Sequence, residues 1–263
     1  LPLPLLHALG WPLGWLSFLL SPRYRRRLLA NAALAGVSRQ QAWASVAEAG
    51  KLVTELPRLW LGRPVPVFWR GAEHIDAALA GGQGLLFLTP HLGCFEITAQ
   101  AYAARFGADH PMTVLFRPAR QPWLRDLVAG ARQRPGLRTA PTTLAGVKQL
   151  LKALKGGEAV GLLPDQVPPL GQGVWAPFFG RDAYTMTLSA RLTQAGPVRV
   201  MLSWGERLPW GRGYVVHVRP MAETLSGDAI QAATQINRAM ESLVRESPTQ
   251  YLWSYDRYKA PRE

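Results

Sequence analysis

The sequence predicts an α/β domain with a mainly parallel central sheet flanked by helices, preceded by an apolar segment that contacts a membrane. Three observations carry this expectation. First, residues 85–88 form an apolar run behind Gly82 and Gly84, and residues 158–163 form another; Pro90 and Pro164 end the two runs, and polar residues follow. A short apolar run bounded by glycine reads as a strand buried on both faces, and proline cannot continue a central strand. Second, strand-like runs alternate with helical ones, as in a parallel sheet. Third, residues 1–20 carry no charged side chain, taking His7 as neutral, and Arg23, Arg25, Arg26 and Arg27 follow at once.

In chain order, residues 1–20 hold Trp11, Trp15, Phe18 and several leucines. About 20 apolar residues can span a bilayer with the basic flank on the cytoplasmic side. Pro2, Pro4, Pro12, Gly10 and Gly14 weaken such a helix, so a helix lying in the interface is an equal alternative. A signal peptide fits poorly, because the charges follow the apolar run instead of preceding it. Residues 1–27 therefore read as an anchoring segment and 28–263 as one domain. Residues 28–61 show helical spacing and read as two helices, the second capped by Ser38. Residues 65–70 read as a strand, 72–80 as a helix, 94–106 as a helix opened by Gly93, and 112–116 as a strand delivering Arg117. Residues 121–132 read as a helix, and 144–155 as another capped by Thr142 or Thr143. Residues 167–181, rich in proline and glycine, are expected to be a loop beside the site. Residues 185–195 read as a helix. Residues 198–203 and 214–219 read as strands, 228–246 as an amphipathic helix, and 251–259 as an aromatic, basic tail.

Composition bounds the function. The 263 residues suffice for one α/β domain with a full core. A hydrophobic content of 48% against 18% charged excludes disorder. The single cysteine, Cys94, allows neither an internal disulfide nor a cysteine metal cluster, and fits a reducing compartment. A net charge of +13 marks an anionic partner: nucleic acid, a membrane surface, an acidic protein or a phosphorylated substrate. Ten tryptophans favour the membrane interface among these.

His91 is expected just past the carboxyl end of a core strand, the edge where open α/β sheets bind ligands. Glu96 follows five residues later. Five helical residues turn about 500°, so both side chains inside one helix would diverge by about 140°. They meet only if His91 lies on the turn before the helix and Glu96 in its first turns. A carboxylate on one imidazole nitrogen then leaves the other free to take a proton as a general base. The bland alternative is a hydrogen-bonded core histidine with Glu96 at a helix start. Residues 164–166 repeat the arrangement at a second strand end, and two such ends on neighbouring strands face one cleft. There is no Gly-x-Ser-x-Gly elbow, P-loop or His-Glu-x-x-His motif, and the five histidines are too scattered for a zinc site. Cys94, expected on a buried helix, reads as a small hydrophobe and not a nucleophile.

Nearly the whole chain resembles the lipid A biosynthesis acyltransferases, the lauroyl/myristoyl branch of the lysophospholipid acyltransferase superfamily. The resemblance rests on His91-x4-Glu96, Phe116-Arg117-Pro118, Gly130-Ala131-Arg132, Lys152 to Glu158, Pro164-Asp165-Gln166, Phe178-Phe179-Gly180, and Pro248-x-Gln250-Tyr251-x-Trp253 with Arg257 and Lys259. It implies a glycerolipid-acyltransferase-like fold and a histidine–acid general-base unit at His91 and Glu96. It also implies substrate-binding roles for Arg117, Arg132 and Asp165, with Gln166 beside the last. It implies transfer of an acyl chain from acyl carrier protein to a hydroxyl of a phosphorylated, Kdo-bearing disaccharide lipid, on the cytoplasmic face of the inner membrane, with no metal or bound cofactor. Two departures bear on the acceptor: the tail at Trp253 to Arg257 is less basic than in many members, and the N-terminal apolar segment is broken by proline and glycine. Two rival readings stand beside it. One is a related acyltransferase with a lysophospholipid, lipoamino acid or glycolipid acceptor. The other is a non-enzymatic basic protein on membrane or nucleic acid, although the arginines form no single stripe and no nucleic-acid motif is present.

Overall fold

In the computed structural model, which describes residues 1–116 and 134–262, three helices come first: α1 (Leu3–Leu20), α2 (Pro22–Leu34) and α3 (Arg39–Leu61). Then follow β1 (Val67–Arg70), α4 (Glu73–Ala80), β2 (Gly84–Leu88), α5 (Phe95–Phe106), β3 (Met112–Phe116), β4 (Leu137–Pro141), α6 (Leu144–Lys155) and β5 (Ala159–Leu162). The chain continues through β6 (Gly173–Phe178), β7 (Arg181–Met186), α7 (Leu188–Thr193), β8 (Val198–Arg207), β9 (Tyr214–Pro220) and α8 (Ala229–Glu246). Among the described residues seven strands form one sheet in the order β1-β9-β8-β2-β5-β3-β4. Only the β8–β9 pair is antiparallel. The expected α/β architecture with a mainly parallel sheet is the one observed.

The central strand β2 is buried at all five positions, which is why its sequence is a continuous apolar run instead of an alternating one. Its two faces feed different layers. Leu86 and Leu88 pack with Leu150 and Leu154 of α6 and Ile236 and Met240 of α8. Leu85 and Phe87 pack with Ile97, Tyr102 and Phe106 of α5 and Ile75 of α4. The caps follow the sequence: Ser38 and Gln41 form a reciprocal capping box at α3. At α6 it is Thr143, not Thr142, whose hydroxyl accepts from the Gly146 N–H.

Three segments differ from expectation. Residues 167–181 are not all loop, because β6 and β7 pair as an antiparallel hairpin. The hairpin turns on Phe179 and Gly180, with φ of 48° and 77°. Two positive φ values make a tight hairpin turn, but phenylalanine there gives no turn signal. The helix expected over 185–195 shrinks to Leu188–Thr193, since Thr185 and Met186 remain paired in β7. Strand β4 was not anticipated: its sequence, Leu-Arg-Thr-Ala-Pro, buries only Leu137 and Ala140 at the sheet edge.

The apolar N-terminal segment is a helix lying along α3. Its buried positions are Leu3, His7, Gly10, Gly14 and Phe18. A Cβ at Gly10 would come within 2.5 Å of Lys51 Cα, and one at Gly14 within 2.1 Å of the Val46 carbonyl oxygen. The two helix backbones therefore approach through glycine. Leu5, Leu9, Leu13, Leu16 and Leu20 are exposed on the opposite side. At 100° per residue these five fall within an arc of about 80°.

Candidate active site

Strands β2 and β5 are parallel neighbours with Leu88 beside Leu162, and the Thr89 N–H donates to the Leu162 carbonyl at 3.0 Å. Counting three residues on from each strand reaches His91 and Asp165. The register itself therefore brings them together at the carboxyl edge of the sheet, where open α/β folds hold their ligands.

The His91 ring is held on both nitrogens. Nδ1 lies 2.7 Å from Asp165 Oδ1, and Nε2 lies 3.0 Å from the Gln166 side-chain nitrogen. The other Asp165 oxygen, Oδ2, accepts from the His91 backbone N–H at 2.9 Å and from the Tyr251 hydroxyl at 3.1 Å. Asp165 is 2% exposed. Burial alone would raise its carboxyl, but the His91 imidazole, the His91 N–H donors and the nearby Arg257 outweigh burial and hold it below the usual carboxylate value. An ionised Asp165 places the imidazole proton on Nδ1 and leaves the Nε2 lone pair for an incoming proton. In this arrangement the Gln166 amide faces that lone pair.

The acid that holds the ring is thus Asp165 and not Glu96. Glu96 sits in the first turn of α5, accepts a hydrogen bond from the Trp60 indole at 3.3 Å, and lines the same cleft as His91. The spacing His91-x4-Glu96 placed both residues correctly around the turn. The shorter route to the imidazole runs across the sheet, from a strand 74 residues away. Gln166 is where the sequence expected it, beside Asp165. Arg117 and Arg132 lie outside the described residues.

The turn between His91 and α5 is fixed by the tail. The Gly93 N–H donates to the Gln250 carbonyl at 2.9 Å, Cys94 N–H to Gly205 at 2.8 Å, and Leu252 N–H to the His91 carbonyl at 3.2 Å. Gly93 has φ of 60°, and a Cβ there would meet the Gly205 carbonyl oxygen at 2.0 Å. Only glycine fits this turn. The Gly93 and Cys94 N–H groups are therefore already engaged by protein carbonyls. Beneath the turn lies a buried ion-pair cluster. Arg207 donates to Glu55 through Nε at 2.8 Å and Nη2 at 2.6 Å, and Nη2 also reaches the Gly93 carbonyl at 3.3 Å. Glu55 further accepts from the Tyr214 hydroxyl at 2.8 Å and lies 2.9 Å from His7 Nε2. Arg207, Glu55 and His7 went unread in the sequence because they come from three distant segments with no local spacing. Tyr251 and Gln250 stood within a quoted tail motif, but nothing local assigns them to His91.

Cys94 is fully buried at the turn, and burial raises its thiol well above the ordinary value. It is a neutral thiol and a poor nucleophile.

A cavity of about 330 Å³ opens beside His91 and Gln166 and runs between α5 and the sheet. Phe87, Phe95, Ala99, Tyr102, Met112, Val114, Val216 and Val218 line it. A concave apolar pocket with a few convergent polar groups at one end is the usual form of a small-molecule site.

Comparison with known proteins points to one family. A family model described as "Bacterial lipid A biosynthesis acyltransferase" matches residues 20–260. The chain is 27% identical to the "Lipid A biosynthesis lauroyltransferase" of Escherichia coli (strain K12), covering 100% of this chain and 88% of that protein. It is 30% identical to a "Lipid A biosynthesis acyltransferase" of Haemophilus influenzae over 70% of this chain and 56% of the relative. With the "Lipid A biosynthesis myristoyltransferase" of Escherichia coli (strain K12) the figures are 25%, 92% and 77%.

Proposed function

The chain belongs to the bacterial lipid A biosynthesis acyltransferase family, and from that premise we propose that it transfers a fatty acyl chain from acyl carrier protein to a hydroxyl of a phosphorylated, Kdo-bearing lipid A precursor. The observation that carries the reading is the Asp165–His91 pair at the mouth of an apolar cavity. Once the acceptor hydroxyl displaces the Gln166 amide from Nε2, a base beside a greasy pocket suits a reaction between a hydroxyl and the carbonyl of a long-chain thioester.

His91 Nε2 takes the acceptor proton as the hydroxyl oxygen attacks the thioester carbonyl. The new C–O bond forms, the tetrahedral intermediate collapses, the C–S bond breaks, and the imidazolium returns its proton to the departing thiolate. Asp165 fixes the tautomer and balances the transient charge. Transfer is direct, since the one cysteine is a buried thiol. Glu96 contributes a carboxylate to the same cleft. Arg117 and Arg132 suit recognition of the acceptor phosphates, because guanidinium groups bind such anions bidentately. The residues call for no metal or bound cofactor.

The reading extends to the membrane. Helix α1 presents a leucine stripe on one face and packs its other face along α3, which carries Glu48, Lys51, Glu55 and Arg58. A helix married to so polar a partner lies in the interface of the inner membrane instead of crossing it. Arg23 and Arg26, exposed at the start of α2, then meet anionic headgroups on the cytoplasmic face. The basic excess also favours docking of an acidic carrier protein.

The test joins cells and enzyme. Mass spectrometry of lipid A from cells lacking this chain should show one acyl mass missing, restored by the wild type and not by His91→Ala. The purified His91→Ala protein should keep its melting temperature and lose several orders of magnitude in kcat. Transfer at a near-normal rate would remove the base from the mechanism.

A further inference from the structure

Resting on that reading, we propose that a second groove, bounded by α5, β1 and the carboxyl end of α3, seats the lipid acceptor, with Arg63, Arg105 and Arg134 holding its phosphate. The groove has a volume of about 310 Å³. Val65, Val67, Ile97 and Ala101 make an apolar floor. The charged side chains on it are the three arginines, and no acidic side chain lines it among the described residues. A greasy floor under cations of one sign fits an amphiphile with an anionic head. An acyl tail alone carries nothing for three guanidinium groups to bind.

Each arginine is placed for such a head. Arg134 Nη2 donates to the Leu59 carbonyl and, at 3.2 Å, to the Trp60 carbonyl, which fixes the guanidinium at the end of α3. Arg105 lies over the Trp69 and Phe106 rings, 5.7 and 5.0 Å from their centroids. Its ion pair with Asp76 is long, at 3.5 Å, and both partners are exposed, so a phosphate displaces it at little cost. Arg63 is exposed at the outer lip. The groove shares Trp69, Gln100 and Arg134 with the His91 cleft. Along α5, Glu96 and Ala99 face the cleft, Ile97 and Ala104 face the groove, and Gln100 lines both. Gln100 lies about 40° round and about 6 Å along the helix from Glu96. An acceptor held by its phosphate therefore reaches His91 by laying its hydroxyl arm across Gln100.

The outer end of the groove meets the start of α1. Helix α1 runs antiparallel along α3, with His7 beside Glu55 and Leu3 in one core cluster with Leu59. Leu61 and Trp210 are both exposed here. The Trp210 turn seats on α1 through Gly211, whose Cβ would come within 2.4 Å of the Pro4 nitrogen. A lipid leaving the bilayer finds an apolar path to the arginines.

The experiment measures steady-state transfer from one acyl-carrier-protein thioester to a detergent-solubilised, Kdo-bearing lipid A precursor, and to the same lipid with its phosphates removed. Arg63→Gln and Arg105→Gln should each raise the acceptor KM about tenfold, with kcat and the thioester KM as in wild type. On the dephosphorylated lipid the wild type should already show the raised KM, and the variants should add little to it. Ala104→Phe, which fills the groove and spares the arginines, should raise the acceptor KM for both lipids. Arg238→Gln removes an equal charge from the exposed face of α8 and should leave the acceptor KM unchanged. Should Arg105→Gln lose stability with its ring contacts, Arg63→Gln on the exposed lip carries the same expectation. An unchanged acceptor KM in the arginine variants, or the same rise on the dephosphorylated lipid, would overturn the proposal while acyl transfer stands. Weaker binding to anionic vesicles with an unchanged acceptor KM would make the arginines a headgroup patch and overturn it equally. No transfer by the wild type to either lipid would instead overturn the acyltransfer reading.

Discussion

Replacing Asp165 with asparagine changes the shape of the site almost not at all and should nevertheless stop the reaction. The reason lies in the two donors on Oδ2. The His91 backbone N–H and the Tyr251 hydroxyl both point at that atom, at 2.9 and 3.1 Å. A backbone N–H cannot become an acceptor, so the carbonyl oxygen of an asparagine must take the Oδ2 place. Its NH2 group is then forced into the Oδ1 place, 2.7 Å from His91 Nδ1. Facing a donor, Nδ1 becomes the acceptor and the ring proton moves to Nε2, the nitrogen that should receive the substrate proton. Where asparagine imposes the wrong tautomer on a catalytic histidine, kcat falls about ten-thousandfold, or roughly 5 kcal/mol in the barrier. Asp165→Asn should therefore lose about that much in kcat with little change in KM for the thioester. Its melting temperature should stay near wild type. The assay is steady-state transfer followed by mass spectrometry, with thermal unfolding as the control for folding. Glu96→Gln is the comparison: the imidazole is hydrogen-bonded to Asp165 and Gln166, so a change at Glu96 leaves its tautomer alone and should cost far less. If Asp165→Asn transferred acyl groups within about tenfold of wild type, or if Glu96→Gln were the more damaging change, the tautomer reasoning would be refuted.

Two further outcomes follow from groups outside the cleft. Although burial opposes ionisation of Glu55, Arg207 and His7 hold its carboxyl at about 2, below an ordinary value of 4.5. A depressed carboxyl contributes stability that is complete above about pH 4.5 and is lost as the pH falls towards about 2. Integrated over that window the contribution is on the order of 3 kcal/mol. Melting temperature should decline with acid in this range, and Glu55→Gln should lower the plateau and flatten the decline; an unchanged slope in the variant would contradict the assignment. At the surface, Leu9 and Leu16 are 49% and 53% exposed on α1. Changing both to serine should weaken binding to anionic vesicles by roughly 2 kcal/mol, about thirtyfold in affinity, without altering the melting temperature. Unaltered sedimentation with vesicles would mean that α1 does not meet lipid.

The elements were legible where one local pattern decided them. Strand β2 could be read because burial on both faces leaves a bare apolar run ended by Pro90, and α3 and α6 because Ser38 and Thr143 mark their starts. The β6–β7 hairpin was hidden because its turn uses Phe179 at a positive φ, a conformation that side-chain propensity does not announce. The edge strand β4 was hidden because only two of its five residues are buried. The site divides in the same way. Two proline-ended strands facing one cleft were visible, which brought His91, Asp165 and Gln166 to the same edge. Which carboxylate touches the imidazole was not visible, because strand register decides it and the five-residue spacing does not.

The Arg207–Glu55 cluster shows what such register-dependent placement achieves. Burying an ion pair is a poor way to gain stability, since desolvation offsets most of the attraction. Its position explains it better. Arg207 spans from Glu55 on α3 to the Gly93 carbonyl, two residues past His91. Its own backbone N–H and carbonyl are both held by the Gln250 side chain, at 2.9 and 3.1 Å. Gln250 in turn accepts the Gly93 N–H on its backbone oxygen. The turn that carries the His91 imidazole is thus pinned on three sides, by β8, by the tail and by α3. His7 adds α1 to the same cluster. A displacement of about 1 Å at a reacting group costs on the order of a hundredfold in rate, so the rigidity of this turn matters more to acyl transfer than the net stability of the ions that enforce it.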